Sequence, residues 1–282
     1  MLSKSQLKNI KLVLFDLDGT LLNDRGEIGQ ESISLVNQLQ QLGVYFSFAS
    51  GRLHSALTEY ATELNIKVPI ISLDGSYLKS YLEGKVLFQS VIPKKKVKQA
   101  IEFADQFLLK IALCHADAVY YTEHNSVIPN IIDKFGAKFA EVHSYEEYLD
   151  DTLEIVFASD MKDNLKFVQS RLKFPYSFGL VSNYYKSHLR ESIYYLDIRK
   201  SGSTKATGLK NLLKYLGLHI HDAAVLGDWY NDATLFETEA LKIAVANAVP
   251  EIKFKADYEL KRTNNEDGTA EFLEMVLQAK KT

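Results

Sequence analysis

Apolar and polar positions along this chain follow two periods in turn. The run Ile10–Phe15 (IKLVLF) is short and rich in large apolar residues, as in a strand buried on both faces. The stretch GQESISLVNQLQQLG places Ile33, Val36, Leu39 and Leu42 at helical spacing, with Gly43 as a stop. VYFSFAS then reads as a strand, RLHSALTEYATELN as an amphipathic helix, and VPIISLDG as a third strand. This βαβαβ order with short connections predicts a parallel sheet with helices on its faces.

Past Leu82 the pattern changes. GKVLFQSVI reads as a strand, and KKKVKQAIEFADQFLLK as a helix with Val97, Ile101, Ala104 and Leu108 on one side. Lys110–His115 and Ala118–Thr122 are close enough to form a hairpin. A helical patch around Ile128–Phe135, a strand at Leu153–Ala158 and a helix over Asn164–Leu172 follow, and YYKSHLRESIYYLDIRK alternates as β. Many strands with few helices predict an α+β module around an antiparallel sheet. From Ser201 the α/β pattern resumes. TKATGLKNLLKYLG is a helix, AAVLGD a strand, DATLFETE a helix and LKIAVA a strand; PEIKFKA and TAEFLEMVLQAKK are helices. The predicted fold is α/β: a doubly wound, mainly parallel sheet core from residues 1–82 and 193–282, split by an α+β insert over 83–192.

A length of 282 residues suits one large domain or two ordinary ones. The hydrophobic fraction of 46% and charged fraction of 24% are those of a globular protein. A net charge of −3 provides no field for a polyanion, so nucleic acid is not an expected partner. The opening MLSKSQLKNI lacks the apolar core of a signal peptide, and no run reaches the roughly 20 apolar residues of a membrane span. The expected location is cytoplasmic, away from membranes. The single cysteine, Cys114, rules out an internal disulfide and reads as a small buried residue. PKKKVK reads as the solvated start of a helix.

Four polar pieces follow or flank the strands of the α/β core: DLDGT after the first strand, SGR after the second, GSTK opening a late helix, and GDWYND after a later strand. Each has a plain reading alone. Asp-Gly-Thr is a good turn, Ser-Gly a helix cap, Lys205 a solvated lysine and GDWYND a polar loop. Their order and placement favour chemistry, because ligands bind at the carboxyl ends of strands in open parallel sheets. Asp16, Asp18, Asp228 and Asp232 would crowd at one edge, where like charges need a cation. Hard oxygen ligands suit Mg2+; one cysteine and the lack of an HxxxH pair disfavour zinc. Ser50 and the amides after it suit a phosphate oxygen at a helix start, and Lys205 adds a positive charge. Together these form a metal-bearing phosphate cradle, the apparatus of phosphoryl transfer.

With these four motifs in order, the chain resembles the haloacid dehalogenase superfamily of phosphohydrolases, and within it the Cof-type group with a large cap between the second and third motifs. The tail AVANAVPEIKFKADYELKRTNNEDGTAEFLE is similar to the end of that group. The resemblance covers both core halves and is weak in the cap. It implies that Asp16 is the nucleophile, forming an aspartyl phosphate, and that Asp18 is the acid and base. It implies Mg2+ held by the Asp16 carboxylate, the Asp18 backbone carbonyl and the Asp228 carboxylate, with Asp232 beside them or acting through water. Ser50, Gly51, Lys205 and Asn231 would hold the phosphoryl group, and Thr20 would support the first loop. The implied activity is a magnesium-dependent phosphatase acting on a small phosphorylated metabolite. A phosphomutase and a phosphometabolite-binding protein without turnover are the alternatives.

The chain departs from the group's pattern in places. Asp74 stands where many relatives show Asn, and is read either as a turn residue or as a specificity residue. Trp229 and Tyr230 replace small residues. Arg52 contacts substrate or pairs with a carboxylate. In the cap, Asn183, Lys186, His188 and Arg190 are either surface residues or leaving-group contacts. The oligomeric state has no signal in the sequence.

Overall fold

The computed structural model describes residues 2–131, 136–172, 176, 178–186 and 192–282. They form two compact units: Met1–Gly51, Leu57–Phe88 and Thr204–Thr282 in one, Arg52–Ala56 and Gln89–Ser203 in the other. The chain begins with α1 (Lys4–Asn9), β1 (Leu12–Phe15), α2 (Gln30–Gln41), β2 (Tyr45–Phe48), α3 (Thr58–Glu63), β3 (Ile70–Ser72), β4 (Tyr77–Lys79) and β5 (Val86–Gln89). The second unit carries α4 (Lys94–Phe107), β6 (Lys110–Cys114), β7 (Val119–Thr122), α5 (Ile128–Ile131), β8 (Phe139–Val142), β9 (Glu154–Ser159), α6 (Lys162–Arg171), β10 (Leu180–Lys186) and β11 (Tyr194–Lys200). The first unit is completed by α7 (Lys205–Leu216), β12 (Ala223–Gly227), β13 (Leu241–Ala244), α8 (Pro250–Lys255), β14 (Tyr258–Glu259) and α9 (Gly268–Lys281).

Five strands form a parallel sheet in the order β14-β13-β12-β1-β2. β1 is an inner strand, flanked by β12 and β2, and all four of its residues are buried, which is why it reads as an unbroken apolar run. Phe15 stacks on Phe46 of β2 with ring centroids 5.9 Å apart. Phe15 is in register with Leu226 on one side and Phe48 on the other. The residues that follow these strands, Asp16, Ala49 and Asp228, therefore emerge along one edge. β3 is joined to this sheet by a single parallel bridge, Ala49 to Ile71, and otherwise belongs to a three-stranded sheet with β4 and β5.

One helix cap crosses the whole first unit. The N-cap of α2 is Gly29, which has no side chain to offer. Asp267 takes over that task, accepting from the Ser32 amide at 3.1 Å and from its hydroxyl. A Cβ on Gly29 would lie 2.0 Å from the Asp267 Cγ, so glycine is required there by close approach.

The second unit has a six-stranded sheet in the order β10-β11-β9-β6-β7-β8. It is antiparallel apart from the β7–β8 pair. Its own core includes Val97, Ala104, Leu113, Phe157, Leu165 and Leu196. Cys114 is a buried free thiol. The α/β core and the antiparallel module both bear out the predicted fold class.

Three local readings need correction. Leu108 does not lie on the buried face of α4: it is the left-handed C-cap (φ 53°) and is 71% exposed. The Leu108 and Leu109 amides both turn back to the Ala104 carbonyl, which redirects the chain into β6. Leu42 likewise caps α2 in an exposed position. DATLFETE does not form an α-helix. The Leu235 and Phe236 amides close one turn on the Asp232 carbonyl, and then the Thr238 hydroxyl takes the Leu235 carbonyl that a longer helix would use.

Candidate active site

The first loop begins where β1 ends. Asp16 is 4% exposed, and its amide stays in the sheet by donating to the Leu226 carbonyl at 2.9 Å. Asp18 is exposed. Gly19 has φ +80°, and a Cβ there would lie 2.5 Å from the Asp228 Oδ2. Only glycine allows the loop to pass this carboxylate. Thr20 is buried and donates its hydroxyl to Asp228 Oδ1 at 2.9 Å.

The other acids come from the turn after β12. Asp232 is fully buried. Its Oδ2 accepts the Asp228 amide at 3.0 Å and the Trp229 amide at 3.2 Å, so the carboxylate folds its own loop. Asp16, Asp228 and Asp232 each offer an oxygen within 4.8 Å of the others. Lys205, the first residue of α7, is 0% exposed and donates to Asp16 Oδ1 at 2.5 Å and to Asp232 Oδ1 at 2.6 Å. The reading of Lys205 as a solvated lysine is thereby excluded.

Burial and the Asp232 charge hold the Asp16 carboxyl well above the usual carboxylate range, against the pull of Lys205. Burial, then the Asp232 charge, push Asp228 up to about 6. Burial alone would lower the Lys205 ammonium, but Asp16 and Asp232 outweigh it and raise it. Three buried carboxylates face one ammonium, which leaves two negative charges uncompensated when all are ionised. A hard dication matches both that charge and the all-oxygen donor set. The residues present therefore fit a divalent metal through Asp16, Asp228 and Asp232; the Asp18 carboxylate is outside this group.

The second motif is loop rather than helix start. Ser50 is 1% exposed; its amide donates to the Ile71 carbonyl and its carbonyl accepts the Asp74 amide. The first helical turn begins at His54 and α3 only at Thr58, so Ser50 does not sit at a helix N-terminus. A Cβ on Gly51 would come within 3.4 Å of the Asp74 carboxylate. Leu73 and Asp74 are both left-handed (φ 48° and 47°), a conformation that Asp and Asn tolerate best. The Asp74 carboxylate accepts from Asn231 Nδ2 at 3.3 Å and adds to the field that charges Lys205. Ser50, Gly51, Asp74, Asn231 and Lys205 thus line the same edge of the first unit. Trp229 and Tyr230 are exposed and pack edge to face.

Arg52 is grouped with the second unit, where it is 9% exposed. The Ser55 amide and hydroxyl tie its segment to Ala116 and Asp117. Asn183 lies on β10 in register with Asp197, and Lys186 ends that strand. His188 and Arg190 lie outside the described residues.

Two asparagines that the sequence reading left without a role brace the first loop. Asn247 Nδ2 donates to the Gly19 carbonyl at 2.7 Å, and Asn264 Nδ2 to the Leu22 carbonyl at 2.9 Å. The Asn264 amide donates to Asn247 Oδ1, which links the two. Both lie in the tail whose similarity to the Cof-type group was visible, and that similarity was the available signal.

A parallel α/β core with a lysine-bridged carboxylate cluster at the carboxyl edge of its sheet defines an enzyme of the phosphoryl-handling kind. The model of the haloacid dehalogenase-like hydrolase family matches residues 13–273. The chain belongs to this family, in its Cof-type branch, and is a phosphoric monoester hydrolase of that type. It is 25% identical over 268 residues to the 5-amino-6-(5-phospho-D-ribitylamino)uracil phosphatase YitU of Bacillus subtilis (strain 168), covering 93% of this chain and 96% of that protein. It is also 25% identical over 295 residues to the phosphatase YwpJ of the same organism, covering 95% and 100%. Among solved structures, a haloacid dehalogenase-like hydrolase from Bacteroides thetaiotaomicron superposes with a TM-score of 0.82 at 25% identity, covering 95% of this chain and 99% of that one. Among the described residues, no helix is long and apolar enough to cross a membrane.

Proposed function

We propose that the protein is a magnesium-dependent phosphatase that hydrolyses a small phosphorylated metabolite through an aspartyl phosphate on Asp16. The observation that carries this reading is the buried Asp16 carboxylate, pinned by Lys205 beside Asp228 and Asp232. In the first step an Asp16 oxygen attacks phosphorus and the ester P–O bond breaks. Asp18 gives its proton to the leaving oxygen. In the second step Asp18 takes a proton from water, the water oxygen attacks phosphorus, and the P–O bond to Asp16 breaks. Inorganic phosphate leaves and the carboxylate is restored. The exposure of Asp18 suits a group that trades protons with substrate and water.

Lys205 pulls Asp16 toward the ionised form that attack requires, against burial and the Asp232 charge, and offers positive charge to the phosphoryl oxygens. Ser50, Gly51 and Asn231 complete the phosphoryl seat. Asp16 and Asp228, with the Asp18 carbonyl, would hold Mg2+, and Asp232 would orient the set; the ion supplies charge neutralisation at phosphorus. The second unit, expected over 83–192, is assigned the choice of leaving group, with Asn183, His188 and Arg190 as its candidate selectors; Arg52 and Asp74 are further candidate specificity residues.

Sugar phosphates, nucleotides and phosphorylated cofactors are the substrate classes to test, in a cytoplasmic setting. The name of the relative YitU, a phosphatase of a phosphoribitylamino pyrimidine, places such a compound in the panel. The test is phosphate release from a panel of these compounds with and without magnesium, for the wild type and Asp16→Asn. Metal-dependent release that the variant loses supports the reading. Isomerised product without free phosphate would indicate a phosphomutase, and tight binding without release a sensor.

A further inference from the structure

We infer that Trp229 and Tyr230 form the seat of the leaving group, and that this group carries a planar, nucleobase-like ring. The inference rests on the proposed phosphatase reading and deepens it by choosing among its substrate classes. Both residues lie in the turn that carries Asp228 and Asp232. Each Cα is within two peptide links, about 7.6 Å, of an acid of the carboxylate centre. That reach is comparable to the span from a 5′-phosphate to its base. Depth separates two roles within this one turn. Asp228 and Asp232 are buried with Asp16, whereas Trp229 is 46% exposed and Tyr230 55%. The phosphoryl end of a substrate belongs at the carboxylates, and the rings stand on the solvent side, where the rest of the molecule lies.

The rings cannot withdraw into the core, because their backbone is tied on both sides. The Trp229 amide donates to Asp232 Oδ2 at 3.2 Å, and its carbonyl accepts the Asp232 amide at 2.9 Å. The Tyr230 carbonyl accepts the Ala233 amide at 3.2 Å, and the Asp228 carbonyl accepts the Val249 amide at 2.9 Å. Asn231 is held on the Asp74 carboxylate. Two large rings are thus kept in water beside the centre, at a cost in exposed apolar area. Their mutual geometry selects a flat occupant. The ring centroids are 5.2 Å apart and the planes cross at 72°, which makes an open corner. One ring supplies a face to stack on and the other an edge to abut. The polar atoms of the two side chains are the indole N–H and the phenol hydroxyl. A bare sugar finds few partners there, whereas a heteroaromatic ring stacks and offers acceptors to both donors.

Trp229 is the single tryptophan of the chain, so tryptophan emission reports this corner directly. The test titrates full-length Asp16→Asn with magnesium, to prevent turnover, using adenosine and uridine 5′-monophosphates. Ribose 5-phosphate serves as the same ester without a base. Saturable quenching by the nucleotides and none by ribose 5-phosphate is expected. A second measurement does not depend on that variant: kcat/KM for each nucleotide relative to kcat/KM for ribose 5-phosphate. This ratio should fall about tenfold in Trp229→Leu and in Tyr230→Leu, the loss of one base–aromatic stack. Because it is a ratio, a general loss of activity cancels. The inference is overturned if the nucleotides do not quench saturably, if ribose 5-phosphate quenches equally, or if neither variant lowers the ratio. Phosphate release without nucleotide quenching would remove the corner and leave the phosphatase reading standing. Quenching without release by the wild type would do the reverse.

Discussion

Lys205 and Asp16 stand 189 residues apart in sequence, and their side chains meet at 2.5 Å with almost no solvent access. The same ammonium reaches Asp232, so one cation bridges the loop after β1 and the turn after β12. Removing it would leave buried carboxylates without a counter-charge. Lys205→Met should cost about 3–5 kcal/mol in urea unfolding of the metal-free protein, the range for breaking a buried pair from one side. The loss should be smaller at acid pH, where the carboxyls can take protons.

The two acids of DLDGT should separate by burial. Asp16→Asn removes the proposed nucleophile and should abolish phosphate release. Asp18→Asn changes an exposed side chain, so its melting temperature should stay near that of wild type while turnover falls by about 10²–10⁴, the usual contribution of a general acid–base group. Equal activity of Asp18→Asn and wild type would remove Asp18 from the mechanism.

Asp228 makes stability depend on pH in a definite direction. Its folded value of about 6 lies above the ordinary 3.8, so the fold favours the protonated form. That contribution is complete below the unfolded value and is lost as pH rises through about 6. Metal-free protein should therefore lose stability between about pH 4 and pH 7, by up to roughly 3 kcal/mol for a two-unit shift. Asp228→Asn, which cannot ionise, should flatten that fall. Magnesium should raise the melting temperature more above pH 7 than near pH 5, because it binds the ionised carboxylates.

Asp267 caps a helix that begins far away in sequence, at Gly29. Asp267→Ala should lower stability by about 1–2 kcal/mol through loss of that cap. Gly29→Ala should be at least as damaging, because its methyl would collide with the carboxylate. Thermal unfolding of the two variants and of the pair checks this: once Asp267 is alanine, the added Gly29→Ala change should be much milder.

Asn247→Ala should leave the fold nearly intact while loosening the Gly19 carbonyl. Two hydrogen bonds are lost, to the Gly19 carbonyl and from the Asn264 amide, which predicts about 2 kcal/mol of stability. Turnover should fall more than stability does, since that loop carries Asp16 and Asp18. A fall in kcat much larger than the modest drop in melting temperature accounts for would mark Asn247 as a positioning residue.

Much of this was legible along the chain. The apolar run before DLDGT marked β1, because a strand buried on both faces has no polar positions to disguise it. The helical period of α7 and the β alternation of the insert were likewise visible. What misled the reading was local competition. Leu108 fits the apolar period of α4, yet a left-handed cap sends it to solvent. DATLFETE has helical spacing, yet Thr238 captures the carbonyl that would extend the turn. Asn247 and Asn264 carry no periodicity at all, and their role exists only through backbone carbonyls more than two hundred residues away.

The order of apolar runs and turns settled the fold class, and the four motifs settled the family, because strand burial, helix period and turn chemistry are properties of neighbouring residues. The chain order alone could not show that Lys205 is buried, that it neutralises Asp16 and Asp232 together, or that the Asp18 side chain stays in water. Charge compensation in a low-dielectric site depends on which groups the folded sheet brings within a few ångströms, and parallel strands draw those groups from opposite ends of the chain.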